Sequence, residues 1–496
     1  MSASPSDSVW AAATGGAPAP AANGVRVPSS YEMVEGWGMA VQAPSRVLRP
    51  RSVEEIEGAL AVARADGVSL GLRGSGCSYG DASVNAEGHV LDLTGVNRIL
   101  DFDAETGMAE LEPGVTIEQL WKHILPQGYW PKVVSGTMFP TVAGAAAMNI
   151  HGKNNYKVGT FGDAIDEFDL LLPDGGTRTC SRTQNSDLFH AAIGGFGMLG
   201  VFTRLKLRTT RVHSGDVEQI AFSNRSLAEM MEYIERRKGE ADYLVGWIDC
   251  FGKNEELGRG LVHEARYLRP DEDPDPQRSF ALDHQELPAN ILGVFPKSEV
   301  WRILALFASN PGMRLVNGTK YWAGKLEQLQ KPARLSHAGF NFLLDYVPNW
   351  KWSYGRGGLI QYQSFLPADT AYEAYSEMLR LCHKRGLIPW LGVFKRHRPD
   401  PFWMTHAVDG WSFAMDFHVS KAKRERLWKH CAELTEIVLE AGGKFYFAKD
   451  LVIGHADMLR FFPSESREAF LAMKSELDPE GLLQTNLWRR VFAPAG

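Results

Sequence analysis

The sequence has few cysteines, no long apolar run, no internal repeat and no excess of positive charge, and each absence narrows what the chain does. Its five cysteines (77, 180, 250, 382 and 431) are odd in number, and the nearest pair lies 49 residues apart. That spacing argues against a disulfide framework or a CxxC metal centre, so no metal is expected and the setting reads as a reducing cytoplasm. No stretch approaches the roughly 18 uninterrupted apolar residues of a membrane span. With 53 Lys and Arg against 59 Asp and Glu, the formal charge is -6, the opposite of a phosphate-tracking nucleic-acid binder. The first two dozen residues contain no Lys or Arg and are rich in Ala, Pro, Ser and Gly. They read as neither a secretory leader nor a folded element, and 1–28 is expected to be a disordered tail.

What remains is an ordinary globular composition, 44% hydrophobic and 23% charged over 496 residues, long enough for two domains. VEEIEGALAVARAD aligns Val53, Ile56, Leu60 and Ala63 on one helical face, and VSLGLRG follows as a strand. HVLDLT and MAELEPG read as strands, and TIEQLWKHILPQG as an amphipathic helix. Three loops of small residues lie in this region: RGSGCSYGD (73–81), SGTMFPTVAGAAAMNIHGKNN (135–155) and GGFGMLG (194–200). After Arg208 the texture changes to strand-like runs such as DYLVGWIDCF and GLIQYQSFLP joined by long helices. The class is α+β, with one domain over 29–210 and 445–496 and a second, with its own antiparallel sheet and flanking helices, over 211–444.

Two of the loops match catalytic or cofactor motifs whose context fails. Gly76-Cys77-Ser78-Tyr79-Gly80 fits GxSxG, but a nucleophile elbow needs a helix after the serine, and a polar loop follows. Gly195 to Gly200 fits GxGxxG, but a helix precedes the glycines and a strand follows, the reverse of a dinucleotide fold. The plain alternative there is tight helix-to-strand packing. Cys77 is either a small loop thiol or a thiolate favoured by Arg73. The stretch 290–322 mixes apolar clusters with Arg302, Arg314 and Lys320, and reads as an amphipathic core helix or as a surface-docking segment. The first loop is better suited to a backbone cradle, in which successive N–H groups hold a pyrophosphate.

Taken in order, RGSGCSYGD, SGTMFPTVAGAAAMNIHGKNN, GTFGD, DLLLPDGG, DLFHAAIGGFGMLGV and the terminal LDPEGLL and NLWRR resemble the PCMH-type FAD-binding flavoproteins of the vanillyl-alcohol-oxidase superfamily. Within it, IHGKN, GLIQYQ, GVFK, GWSFAMDF and FYFAKD are similar to the decaprenylphosphoryl-β-D-ribose 2'-oxidases. The resemblance implies a two-part FAD-binding domain and FAD lying along Arg73, Gly74, Ser75, Gly76, Cys77, Ser78, Tyr79 and Gly80. It extends the cofactor contacts to Ser135, Gly136, Thr137, Thr141, Gly144, Asn149, His151, Gly152, Asn154, Gly200, Val201 and Lys449. Many relatives carry a flavin-linked histidine where Cys77 stands, so FAD is expected to be non-covalent here, with a Cys77 link as the lesser alternative. Lys449, Lys395 and His151 are the implied catalytic groups. Tyr79, Trp247, Asn341, Gln363, Lys395 and Ala414 are the implied substrate contacts.

Oxidation of a secondary alcohol requires hydride delivery to flavin N5, a group to take the hydroxyl proton, and a fixed cation for the charge that develops. Without the resemblance, Lys449 would read as a surface salt bridge, Trp247 and Gln363 as cross-strand packing, and His151 as a loop cap. Ala414 replaces a pocket cysteine of the subfamily and Asn341 a tyrosine, which leaves the exact sugar open. The implied activity is oxidation of the 2'-hydroxyl of a polyprenyl-phosphoryl pentose, the first half of an epimerisation in cell-wall arabinose synthesis. It implies a lipid-linked sugar substrate, a separate NADH-dependent keto-reductase, and peripheral contact with the inner face of the membrane. The alternatives are oxidation of a soluble alditol or aldonolactone and a non-catalytic flavin-bound scaffold.

Overall fold

The computed structural model describes Val25 and residues 27–86, 88–291, 295–328 and 332–493. Most of the expected tail lies outside the described residues. At its end, Val25 is buried against the core of the first sheet.

The first sheet comprises β1 (Glu32–Glu35), β2 (Gln42–Leu48), β3 (Ser69–Arg73) and β4 (Gly88–Asp92), in the order β1-β2-β4-β3. Strand β4 runs parallel to both β2 and β3. The helix Val53–Ala65 starts where the Ser52 side chain accepts the Glu55 backbone N–H, a standard N-cap. It buries Ile56, Ala59, Leu60 and Ala63 in a cluster with Leu70 and Leu91. The second sheet, β5 (Ile99–Asp103), β6 (Met108–Leu111), β7 (Tyr129–Pro131), β8 (Ile165–Leu171), β9 (Thr177–Ser181) and β10 (Val201–Arg211), is ordered β5-β6-β10-β8-β9, with β7 also pairing on β10.

The third sheet is the largest: β11 (Asp216–Asn224), β12 (Tyr243–Ile248), β13 (Gly260–Tyr267), β14 (Ala333–Ser336), β15 (Leu359–Pro367), β16 (Leu391–His397), β17 (Gly410–His418) and β18 (Lys444–Phe445). Its eight strands follow the order β14-β11-β13-β12-β16-β17-β15-β18. One face carries Leu244, Tyr362, Phe394, Phe413 and Met415 into a core with Met230, Met378, Leu379 and Leu434 from the helices Leu227–Arg237, Ala371–Arg385 and Arg424–Glu440. The opposite face looks back at the glycine-rich loops.

The last fifty residues return to the first sheet. Leu70 donates its N–H to Leu482 O at 2.7 Å and Tyr79 donates to Ala448 O at 2.8 Å. Arg490 grips Asp81 with two nitrogens, at 2.9 and 2.8 Å, and Asp450 with one at 2.9 Å. Both carboxylates are under 5% exposed. Burial alone would lower the Arg490 pKa, but the two carboxylates outweigh it and raise it.

The segment 290–322 is not a core helix. The helix Val300–Leu306 buries none of its residues, and Asn310–Glu327 buries only Asn317, Tyr321 and Gly324, docked near Leu261. Leu306, Leu315, Trp322 and Leu326 are 83, 62, 56 and 66% exposed. No described helix is long and apolar enough to cross a membrane.

Removing one member of a buried ionic cluster leaves uncompensated charge, at a cost of about 3–5 kcal/mol. Arg490→Met is therefore expected to lower unfolding stability by about that amount, measured by denaturant titration followed by tryptophan fluorescence; a loss within experimental error would show the triad to be energetically neutral.

Candidate active site

Register dictates the floor of the site. Gln361 pairs with Asp416, Gln363 with Ala414 and Phe365 with Ser412. Leu391, Val393 and Lys395 pair with the same three β17 residues from the other side. Side chains alternate across a sheet, so these nine share one face. Trp247, opposite Val393, and Val245 continue it. Seven of the nine, with Trp247 and Val245, line a cleft of about 1240 Å³. Phe365 and Asp416 lie just behind it.

The facing wall is built from two of the glycine-rich loops. At Gly74 a Cβ would lie 2.3 Å from Thr141 Oγ1, so the two loops touch there only because the first residue has no side chain. Gly76 has φ +68°, and a Cβ would meet the Arg73 guanidinium at 2.1 Å. Arg73 is folded beneath its own loop, donating to Glu35 O at 3.1 Å and Ser83 Oγ at 3.0 Å. Thr141 caps the short helix Val142–Ala147 by accepting the Gly144 N–H. From the third sheet's side, Asp345 reaches across to accept from Thr137 Oγ1 at 2.7 Å and Met138 N–H at 2.9 Å, which fixes the second loop over the cleft. Burial pushes the Asp345 carboxyl up to about 6.

Cations dominate the floor. Lys449 makes no salt bridge within the described residues; its Nζ stands 3.6 Å from the centroid of the buried Tyr79 ring. Burial, reinforced by Lys395 and opposed by Asp416, brings its pKa down to about 7. Burial brings Lys395 and Lys320 to about 8. Lys320 Nζ lies 4.5 Å over the Trp247 ring. Lys153 is buried with only the Phe340 and Asn341 carbonyls as acceptors, the first at 3.0 Å, and burial lowers its pKa well below the ordinary range.

His151 links two of the floor groups. Gln363 Nε2 is 3.0 Å from His151 Nε2, and Lys395 Nζ is 3.5 Å from His151 Nδ1. Burial, and then Lys395, hold the imidazole neutral by lowering its pKa far below the usual value. A neutral imidazole has one donor and one acceptor nitrogen. With the Gln363 amide donating to Nε2, the hydrogen-bond pattern assigns the proton to Nδ1. Lys395 Nζ then meets this N–H and accepts from it in the neutral amine form, the lesser form at pH 7 given a pKa of about 8.

Of the residues singled out in the sequence, Arg73, Gly74, Ser75, Gly76, Cys77, Ser78, Tyr79, Ser135, Gly136, Thr137, Thr141, Gly144, His151, Trp247, Gln363, Lys395, Ala414 and Lys449 line the cleft. Seven others stand behind it. Gly80 is where the first loop crosses the Asp450 carbonyl, 1.9 Å from a would-be Cβ. Asn149 has φ +44° and ties Asp400 to Gly162 N–H, and Asn154 donates to Lys132 O at 2.9 Å. Gly152 packs against Asn154, Gly200 against Leu170 and Leu171, and Val201 is in the first-sheet core. Asn341 turns its side chain to His337 O at 3.1 Å and meets the site only through its carbonyl on Lys153. Of the third loop, Phe196 and Gly197 reach the cleft, while Gly195 and Gly200 serve packing. The salt-bridge reading of Lys449 fails, and so does the Cys77 thiolate: burial pushes that thiol up to about 11 despite Lys449 and Arg73. Sequence reasoning missed Lys153, although it sits in the IHGKN motif, and also Lys320, Gln361, Asp345 and Asp416.

Residues 44–181 match the family model described as an FAD binding domain. The chain is 28% identical over 480 residues to the decaprenylphosphoryl-beta-D-ribose oxidase of Mycolicibacterium smegmatis, covering 94% of this chain and 98% of the relative. The chain is an FAD-dependent oxidoreductase. It is also 26% identical to a putative D-arabinono-1,4-lactone oxidase of Neurospora crassa, over 92% of this chain and 84% of that one. An L-gulono-1,4-lactone dehydrogenase of Mycobacterium tuberculosis matches at 27% over 40% of the chain and 44% of its own length.

The cleft fits FAD: two backbone loops in contact at Gly74 and Thr141 form one wall, and lysines with no ion-pair partner among the described residues lie opposite them. Residues 73–79 and 135–144 would hold it, with Lys449 beside it. Gly74→Val forces the loops apart and is expected to weaken FAD binding by about tenfold or more, equivalent to at least about 1.4 kcal/mol, in a flavin-fluorescence titration, with the far-ultraviolet circular dichroism unchanged. Undiminished affinity would remove the Gly74 contact from the cofactor site.

Proposed function

We propose that the chain oxidises the 2'-hydroxyl of a polyprenyl-phosphoryl pentose to the 2'-keto sugar. The observation that carries this reading is the pairing of a lysine-rich cleft with an exposed apolar rim. Lys153, Lys320, Lys395 and Lys449 suit a phosphodiester and an oxygen gaining negative charge, and the helices 300–306 and 310–327 lend Leu304, Met313 and Val316 to the cleft while exposing Leu306, Leu315 and Trp322 outside it. The name of the Mycolicibacterium relative supports the same substrate class.

FAD, when bound, accepts the hydride from the carbinol carbon. The chain's own groups do the rest. Lys395 Nζ, in the neutral amine form that a pKa of about 8 brings within reach, accepts the hydroxyl proton, and Gln363 fixes the imidazole that orients it. Lys449, charged, supplies the cation for the developing negative charge. Tyr79 supports Lys449 from below, and Trp247 walls the sugar side. Burial pushes the Cys77 thiol up to about 11, which supports a non-covalent cofactor. The product requires a separate NADH-dependent keto-reductase. The apolar rim supports peripheral contact of the chain with the inner face of a membrane. The name of the Neurospora relative supports a second reading, a soluble aldonolactone as substrate.

Under anaerobic conditions, a short-chain polyprenyl-phosphoryl ribose is expected to bleach the oxidised-flavin band of the purified protein within one turnover. Bleaching by an aldonolactone alone would replace the first reading with the second.

One group needed neutral and one needed charged give a bell-shaped kcat profile. Lys395→Met is expected to lower kcat by about 100-fold or more and to flatten the ascending limb; an unchanged limb would assign the base elsewhere. Leu306→Ser combined with Trp322→Ser is expected to weaken sedimentation with anionic phospholipid vesicles by about tenfold, the FAD spectrum staying the same. Undiminished sedimentation would move the membrane contact off these helices.

A further inference from the structure

Positive charge is unevenly distributed along the chain. Lys and Arg are outnumbered overall, 53 against 59 Asp and Glu, yet the stretches 297–327, 384–386 and 421–429 hold twelve Lys and Arg against three Glu. The fold brings these stretches together on the surface. Asn310, the first residue of the helix Asn310–Glu327, donates its side-chain amide to Gly386 O at 3.2 Å. Gly386 caps the helix Ala371–Arg385, and Arg426 donates to the Arg385 carbonyl beside it. Arg426 stands in the first turn of the helix Arg424–Glu440, and Lys421 and Lys423 in the short turn immediately before it. The basic ends of two helices thus adjoin the start of a third, whose Leu315, Trp322 and Leu326 face solvent.

The cations here are of two kinds. Some lie against indoles: Lys325 Nζ is 5.0 Å from the centroid of the exposed Trp322 ring, and the Arg302 guanidinium is 4.7 Å from that of Trp301, which meets the exposed Trp352 edge-on at 5.3 Å. An indole with a cation alongside suits the boundary between acyl chains and headgroups, where the ring is half wet and the charged tip reaches phosphate. Others stand free. Lys429 is taken up by Glu425 at 2.9 Å and Arg385 by Glu433 at 2.6 Å, whereas Lys384, Lys421 and Lys423 are exposed and enter no ion pair among the described residues.

We infer that this part of the surface docks on an anionic phospholipid bilayer: the indoles and leucines of 300–327 enter the headgroup boundary, and Lys384, Lys421 and Lys423 form a collar that binds lipid phosphates. The inference rests on the membrane contact proposed above and adds the headgroup chemistry that the contact selects. A nucleic acid would satisfy the lysines but leave Leu306 and Leu326 uncovered, and an apolar protein groove would cover the leucines but leave the lysines unpaired. A bilayer with negative headgroups satisfies both. Leu304 and Met313 of the same helices line the cleft, so docking here turns the cleft toward the lipid.

The test is sedimentation of the FAD-loaded protein with vesicles of phosphatidylcholine alone and of phosphatidylcholine mixed with phosphatidylglycerol. The wild-type chain is expected to bind the mixed vesicles about tenfold more tightly, a preference that disappears when salt shortens the Debye length to about 3 Å. In the triple variant Lys384→Gln, Lys421→Gln, Lys423→Gln the preference is expected to fall by about fivefold or more, with binding to phosphatidylcholine alone and the flavin spectrum unchanged. Equal binding of the wild-type chain to both vesicles, or a triple variant with the wild-type preference, overturns the inference and leaves the membrane contact standing. Binding to neither vesicle overturns both. A preference for the mixed vesicles that survives Leu306→Ser with Trp322→Ser but is lost in the triple variant supports the collar and moves the apolar contact off the helices.

Discussion

The arrangement depends on one buried guanidinium. Arg490, on the C-terminal helix Asn486–Val491, binds Asp81 at the end of the first glycine loop and Asp450 one residue after Lys449. A loop near the start of the chain, the lysine-bearing segment and the C-terminal helix are thus fixed to one another by a planar fork whose geometry tolerates little displacement. The Tyr79 N–H to Ala448 O hydrogen bond adds a backbone restraint alongside. These contacts place Lys449 over Tyr79, and through it everything on the floor that responds to its charge.

The floor shows the opposite economy of charge. Where Arg490 has two carboxylates, Lys153, Lys320, Lys395 and Lys449 have none within ion-pair distance among the described residues, and burial depresses the pKa of each. Such an arrangement is unfavourable for the fold taken alone. It becomes favourable when an anion enters, so the strain resides in the place where a ligand relieves it. The neutral His151, hydrogen-bonded to Gln363, adds directionality to a field that would otherwise be diffuse.

Much of the first sheet and the helix before it was legible because a period of 3.6 in 53–66 and short apolar runs at 69–73 and 88–92 carry their own geometry. The glycine loops were legible as loops, and the order of helix 186–192 before strand β10 correctly excluded a simple dinucleotide fold. What was hidden was partnership. Nothing local distinguishes Gly74, which admits Thr141, from Gly200, which admits Leu170. Asn149 and Asn154 belong to the loops but spend their amides on the backbone and on Asp400. Lys153 and Asp416 lay within quoted motifs, but their importance comes from strand register and from carbonyls 180 or more residues away in sequence. The apolar residues of 300–327 scan like any amphipathic helix, and only the fold reveals that few of them find a core.

The alternation along β15, β16 and β17 divides each strand between two masters. Gln361, Gln363, Val393, Lys395 and Ala414 look into the cleft, while Tyr362, Phe394, Phe413 and Met415 lie in the core behind. Neighbours in sequence therefore answer to different requirements, and a change at a cleft-facing position leaves the packing residue beside it untouched. Ala414 is the clearest instance: its small side chain sets the depth of the cleft at the centre of the sheet, flanked in sequence by Phe413 and Met415, which are fully buried. A sheet used this way lets substrate preference drift across a lineage while the scaffold that holds the cofactor loops in register is inherited intact.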